Sequence, residues 1–268
     1  MNTNHDFDSE KLFDRFVDRV GGTRVAALIA KNPTFDNADY LFESANVIAE
    51  LKCLRADFAT APEFKQKTVE LGAIYIGEGR MAFGALFGAK PMPREFVNDA
   101  LRLLRPPLAR VLKKANRQLR ETKSHLGRGD ATGVALIVND GFITLEPHFV
   151  VGLISNILLN SYSSIDAFVY ITINHYVLLP KQGVAALLWA PTYSDRAPDS
   201  LCVFLNELGA QWRGYLDEEL GPFEINETSD EPIHSAGFTK AVKVPNGEDA
   251  DDYLRDAFND MLRRRGVK

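Results

Sequence analysis

The 268-residue chain sets 31 Lys and Arg against 36 Asp and Glu, a formal net charge of −5, with 46% hydrophobic and 25% charged residues. That length and composition suit one large globular domain, and the negative total argues against nucleic-acid binding by the surface as a whole. No apolar run reaches the roughly 18 residues of a membrane span, and the polar, acidic start MNTNHDFDSEKLFD does not read as a secretory signal. Cys53 and Cys202 both lie in apolar stretches and suggest core thiols, so a cytoplasmic protein without a membrane partner is expected.

In chain order, DSEKLFDRFVDRV over 8–20 places Leu12, Phe13, Phe16 and Val20 at helical spacing, and Gly21-Gly22 stops the pattern. Val25 to Ala30 is a short apolar segment that reads equally as helix or strand. Asn37 to Leu54, NADYLFESANVIAELKCL, reads as two apolar strands around a tight polar turn. Residues 57–100 are helix-like but broken by small residues and by Pro91 and Pro93. A long basic helix is expected after Pro106-Pro107, running to about Leu126 and stopped by Gly127 and Gly129. GVALIVND over 133–140 is a continuous apolar strand of the kind buried on both faces. PHFVVGLISNILLN predicts a helix, SIDAFVYITIN and GVAALLWAPTY two further strands, and DSLCVFLNELGAQWRGYLDEEL a helix capped by Asp199 or Ser200. A solvated terminal helix is expected over 247–265, acidic at its start and ending in Arg263-Arg264-Arg265. The whole order implies an α/β sandwich with a mixed sheet.

The hairpin carries three charges in core-like segments, and buried charge is costly unless paired or bound to metal. With 43–46 as the turn, Phe42 faces Val47 and Asp39 faces Glu50, on one side of the sheet with Lys52. The opposite side collects Tyr40, Phe42, Val47, Ala49, Leu51 and Cys53. Two carboxylates so close repel, and one is protonated unless a cation lies between them. Carboxylate oxygens suit Mg²⁺ or Mn²⁺, and a neighbouring ammonium suits a water or a phosphate gaining charge. Those parts serve metal-assisted phosphodiester hydrolysis.

Asp39, ten intervening residues, then Glu50-Leu51-Lys52 at the end of an apolar strand resembles the PD-(D/E)XK nuclease superfamily, over roughly residues 8–55 and 105–175. The order of elements matches as well: helix, acidic strand, E-x-K strand, helix, apolar strand. The residue before Asp39 is Ala38 where the pattern has proline. A second E-x-K, Glu63-Phe64-Lys65, has no acidic strand before it. The resemblance implies a restriction-endonuclease-like core in one α/β domain spanning 1–268, its mixed sheet flanked by helices, with a helical insertion at about 56–104. It implies that Asp39, Glu50 and the Leu51 backbone carbonyl hold Mg²⁺ or Mn²⁺ while Lys52 assists the attacking water. Glu10 on the first helix, with Lys114 and Gln118 on the helix after the E-x-K strand, are auxiliary candidates.

From Arg102 to Arg128 inclusive there are nine Lys or Arg residues and one acid, Glu121. Arg110, Lys113, Lys114, Arg117 and Arg120 follow one helical face, leaving Leu108, Val111, Leu112 and Leu119 for the core; with Lys123 they form a candidate phosphate-backbone surface. GEGRMAFGALFGAK over 77–90 lacks the G-K-[S/T] of a P-loop and reads as close packing or a flap. His5, His125, His148, His175 and His234 show no zinc-type spacing, and no G-x-S-x-G elbow is present. The leading expectation is a metal-dependent nuclease acting on DNA, endonucleolytic by default. The alternatives are a nuclease-like fold that binds nucleic acid or protein without cleavage and, last, a small-molecule enzyme of other mechanism. No homodimer surface is legible in the sequence.

Overall fold

The structure, a computed structural model, describes residues 8–30, 33–87, 90–159, 162–173, 177–179 and 184–221. Leu12, Phe13, Phe16 and Val17 recur at helical spacing and are all buried along helix α1 (Ser9–Arg19). Asp8 caps the helix by accepting the Lys11 N–H at 3.3 Å. Gly21 then turns the chain with φ +78°, a conformation that favours glycine. A two-residue strand, β1 (Thr23–Arg24), and a 3₁₀ turn at Val25–Ala27 follow; the apolar segment there proves to be neither α-helix nor strand.

Strands β2 (Tyr40–Phe42) and β3 (Val47–Leu54) form the expected hairpin. A 3₁₀ turn at Glu43–Ala45 joins them, closed by Asn46 in the left-handed region at φ 49°. Phe42 faces Val47, Leu41 faces Ile48 and Tyr40 faces Ala49, the register that the 43–46 turn dictates. Between β3 and the basic helix the chain makes α2 (Pro62–Gly77) and α3 (Arg94–Arg102), within the expected helical insertion. The basic helix, α4 (Arg105–His125), begins before its prolines rather than after them. In the first turn the amide protons have no intrahelical acceptor, so Pro106 and Pro107 cost nothing there.

Then come β4 (Thr132–Asn139), α5 (Pro147–Leu159), β5 (Ala167–Thr172), β6 (Val177–Leu179), β7 (Val184–Ala186), β8 (Trp189–Tyr193) and α6 (Asp199–Leu220). The stretch expected as one strand over 183–193 is divided in two. β7 pairs with β6 in a separate two-stranded ribbon, whereas β8 pairs antiparallel with β5. The expected cap of α6 is also corrected: Pro198 occupies that position without a side-chain bond, and Asp199 is the first helical residue. Its charge there favours the helix dipole instead. The helix expected over 247–265 lies outside the described residues.

The main sheet has six strands in the order β1-β2-β3-β4-β5-β8. β3, β4 and β5 are parallel and central, and the outer pairings are antiparallel. Parallel strands need both faces covered, which is why 134–138 of β4 and 167–171 of β5 are all buried hydrophobic residues. On one face α1 and α6 cover Val47, Ala49, Leu51, Val134, Leu136 and Val138, with Phe13 stacked on Trp212 at 4.3 Å. On the other, α4, α5 and the insertion cover Leu41, Ile48, Leu54, Ala135 and Ile137. The molecule is thus α/β, a mixed open sheet flanked by helices. Among the described residues no helix is long and apolar enough to cross a membrane.

Candidate active site

In an antiparallel ladder a hydrogen-bonded pair exchanges two backbone bonds. Continuing the register of β2 and β3 past Tyr40–Ala49 places Ala38 opposite Leu51. That rung is absent. The Leu51 N–H donates to Asp39 Oδ2 at 2.8 Å. The Ala38 N–H donates to Thr122 Oγ1 on α4 at 2.7 Å, and the Ala38 carbonyl accepts from its neighbour Asn37 Nδ2 at 2.8 Å. The Gln118 side-chain amide, one helical turn before Thr122, donates to the Asn37 carbonyl at 2.8 Å. Asp36 pairs with Arg117. Residues 36, 37 and 38 are therefore held by α4, and the arm peels away from β3 where Asp39 begins. A carboxylate fills the place of a ladder carbonyl.

Glu50 faces α4, on the side that Ile48 and Leu54 also occupy, and is 0% exposed. Its Oε1 takes the Lys52 ammonium, and the Lys52 side chain is 17% exposed. Glu50 Oε2 is buried and has no donor while both acids are ionised. The Asp39 and Glu50 carboxyls lie within hydrogen-bonding reach of each other, a bond that exists when one of them is protonated. Burial raises the Asp39 pKa, opposed by the Leu51 N–H and by Lys52. Burial first, then the Asp39 charge, pushes Glu50 up to about 8, with Lys52 pulling the other way. The three charges that the pairing arithmetic placed on one face do meet there, in a packed interior rather than at a wet edge.

Glu10 lies on α1, exposed, with its carboxylate 2.8 Å from Arg55, and its charge contributes to raising Asp39. Among the described residues no group of three or more His, Cys, Asp or Glu is arranged to hold a metal. What the site offers a cation is two adjacent carboxylates, one with an orphaned buried oxygen, beside the Leu51 carbonyl. Residues of a strand alternate in the direction of their backbone groups, so that carbonyl shares the side of the Leu51 N–H and faces the gap left by β2. This donor set is all oxygen and fits Mg²⁺ or Mn²⁺.

The basic face of α4 forms as its spacing predicts, with Leu108, Leu112 and Leu119 buried and Arg110, Lys113, Lys114, Arg117 and Arg120 exposed. Much of its charge is answered within the chain. Arg117 meets Asp36, Arg120 reaches Glu121 at 3.6 Å, and Arg110 donates to the Pro106 carbonyl at 3.4 Å. Lys113 and Lys114 have no partner among the described residues. Lys114 precedes Gln118 by four residues, on the flank of α4 that meets the 37–38 arm. Lys123 is directed elsewhere: its ammonium lies 3.4 Å from Asp166, the two side chains 13% and 14% exposed. An open cleft beside this flank is lined by Phe35, Asp36, Arg117 and Glu121, and the Phe35 ring lies tilted against His125 at 4.6 Å.

Sequence reasoning passed over Thr122. Its signal was a hydroxyl on the apolar stripe that also carries Ala115 and Leu119, a position where an unbonded polar group is costly. Compared with protein-family models, with curated proteins and with solved structures, the chain finds no match.

Proposed function

We propose that the chain is a divalent-metal-dependent nuclease that hydrolyses phosphodiester bonds, with DNA as the expected substrate. The observation that carries this reading is the Asp39–Glu50 pair: two carboxyls in mutual reach, an orphaned Oε2, and Lys52 on the remaining oxygen of Glu50. The surroundings add to it. Helix α1, the strand β2 that follows Asp39, the E-x-K strand β3, then α4 beyond the α2–α3 insertion, and the apolar strand β4 come in the order the PD-(D/E)XK resemblance calls for, with the two-residue β1 additional to it.

In this reading Asp39, Glu50 and the Leu51 carbonyl hold Mg²⁺ or Mn²⁺. Such an ion supplies Lewis acidity to a phosphoryl oxygen and lowers the pKa of water. The Leu51 N–H keeps the Asp39 carboxylate aimed into the gap. Lys52, nearly enclosed, orients the attacking water and offsets charge gathering on the phosphate. Lys113 and Lys114, without a partner among the described residues, meet the phosphate backbone and set register without reading sequence.

The complete burial of Glu50 and its pairing with Lys52 favour a second reading, a nuclease-like domain that binds nucleic acid or protein without cutting. Incubation of DNA with the protein and Mg²⁺ or Mn²⁺, beside Glu50→Ala, separates the two. Cleavage by the wild type alone supports the nuclease. Equal cleavage by both proteins, or none by either, removes Glu50 from the chemistry.

A further inference from the structure

The Asp39 carboxylate is held directly by the Leu51 N–H at 2.8 Å, and the backbone that carries it is held on both sides, by the sheet downstream and by α4 upstream. Downstream, the Tyr40–Ala49 pairing fixes the chain on β3, and the Asp39 carbonyl accepts the Val25 N–H at 2.8 Å. Upstream, the rung that would anchor residue 38 on β3 does not form. The hold on that side comes from α4, through Thr122 on the Ala38 N–H and Gln118 on the Asn37 carbonyl. Both helix residues are buried, at 0% and 8% exposure, and sit four residues apart on one face. They meet the backbone rather than a side chain, so they act on where the chain runs. Oxygen-coordinated Mg²⁺ demands near-ideal octahedral geometry, and working constellations need their groups within about 0.5 Å. With its backbone hinged on the downstream side only, the carboxylate would rely on the Leu51 N–H alone to meet that tolerance.

We propose that Thr122 and Gln118 are positioning residues, a latch on α4 that fixes residues 37–38 and thereby places the Asp39 carboxylate against Glu50 for metal binding. The proposal rests on the nuclease reading and extends it to two side chains that touch neither substrate nor metal. Thr122 works through its hydroxyl as acceptor for the Ala38 N–H, and Gln118 through its amide as donor to the Asn37 carbonyl.

The test uses the full chain as wild type, Thr122→Val, Thr122→Ser and Gln118→Met. Thr122→Val keeps the shape and removes the acceptor, whereas Thr122→Ser keeps the hydroxyl. Mn²⁺ affinity is measured by calorimetry without DNA, alongside thermal melting and the kcat and KM of DNA cleavage. Removing partners that orient ligands typically costs about 10- to 100-fold in metal affinity. Thr122→Val and Gln118→Met are therefore expected to weaken Mn²⁺ binding about tenfold or more and to lower kcat, with KM for DNA unchanged. Thr122→Ser should stay within about threefold of wild type, because it retains the group the argument uses.

A folded Thr122→Val with wild-type Mn²⁺ affinity overturns the latch. So does a Thr122→Ser as impaired as Thr122→Val, which would make the methyl group the part that matters. If Thr122→Val does not fold, Gln118→Met decides in its place: lost affinity supports the latch and retained affinity overturns it. A wild-type protein that neither binds Mn²⁺ nor cleaves overturns the nuclease reading and the latch together. Wild-type binding with indifferent variants removes the latch alone.

Discussion

The Asp39 carboxylate accepts the backbone N–H of Leu51 at 2.8 Å, so a side chain completes hydrogen bonding that β2 itself leaves undone. Substitutions at this position separate structure from chemistry. Asp39→Ala leaves a strand N–H short of its acceptor and is expected to cost about 1–3 kcal/mol. Asp39→Asn keeps an oxygen in place, so it should melt near the wild type while losing Mn²⁺ binding and cleavage. Urea denaturation and calorimetry read the two effects, and an Asp39→Asn that still binds Mn²⁺ as tightly would take the carboxylate out of the metal site.

A buried acid with a raised pKa makes stability depend on pH. The folded value of Glu50, about 8, lies above its ordinary 4.5. The native state therefore keeps a proton that the unfolded chain gives up. Its contribution is whole below about 4.5 and declines as pH rises to about 8, at up to about 1.4 kcal/mol per pH unit. Asp39 shifts in the same direction and adds to the trend. We expect the metal-free protein to lose Tm between about pH 5 and 8, and Glu50→Gln to flatten that loss. Mn²⁺, which needs the deprotonated acids, should raise Tm more at pH 8 than at pH 5. A wild-type Tm profile that Glu50→Gln reproduces would show that Glu50 is not the group responsible.

The basic helix divides into cations with no partner among the described residues and cations that are taken. The Lys113→Ala, Lys114→Ala double variant should bind DNA more weakly at every sequence and reduce the slope of log affinity against log salt by about 1–2, with Tm unchanged. Lys123→Ala should behave in the opposite way, because it removes the most enclosed cation facing the nearly buried Asp166 and leaves that carboxylate to the Gly133 N–H at 2.8 Å and Arg196 at 3.7 Å. Its loss is expected in stability, about 1–3 kcal/mol, with little change in the salt slope. A Lys123→Ala that alters only the salt slope would return this residue to the binding surface.

Gly133, the second residue of β4, lies where the chain passes close to another backbone. A Cβ there would lie 2.0 Å from the Ser164 carbonyl oxygen. Gly133→Ala is expected to destabilise by more than about 2 kcal/mol through overpacking. A Gly133→Ala melting curve that overlays the wild type would show that the 164–166 segment yields freely.

The hairpin register was legible because strand side chains alternate strictly and the 43–46 turn is short, so Phe42–Val47 settled every later pairing. The helical spacing of α1 and α4 was legible for the same kind of reason. Contacts between distant segments were not. That β2 leaves β3 before Asp39 depends on Thr122, 84 residues from Ala38. The pairings that occupy Arg117, Lys123 and Arg128 reach partners 81, 43 and 85 residues away. Nor did the alternation reveal how deep Glu50 would lie. Period two assigns a face, while burial depends on the helix that covers it, here the apolar stripe of α4. The two-residue β1 is too short to show any period.

The rung missing between Ala38 and Leu51 also has a kinetic side. Asp39, Glu50 and Lys52 lie within fourteen residues, and a hairpin of that span closes in microseconds. Thr122 and Gln118 arrive only when α4 docks on the sheet, a non-local step that has a greater loop-closure cost and comes later. A chain emerging during synthesis thus gathers its acidic residues early, and the backbone that carries Asp39 is fixed last. Under the proposed nuclease reading, an unfinished molecule with the acids and without the docked helix should not yet bind Mn²⁺ tightly, and pulse-labelling hydrogen exchange timed against the first appearance of Mn²⁺ binding during refolding would reveal that delay.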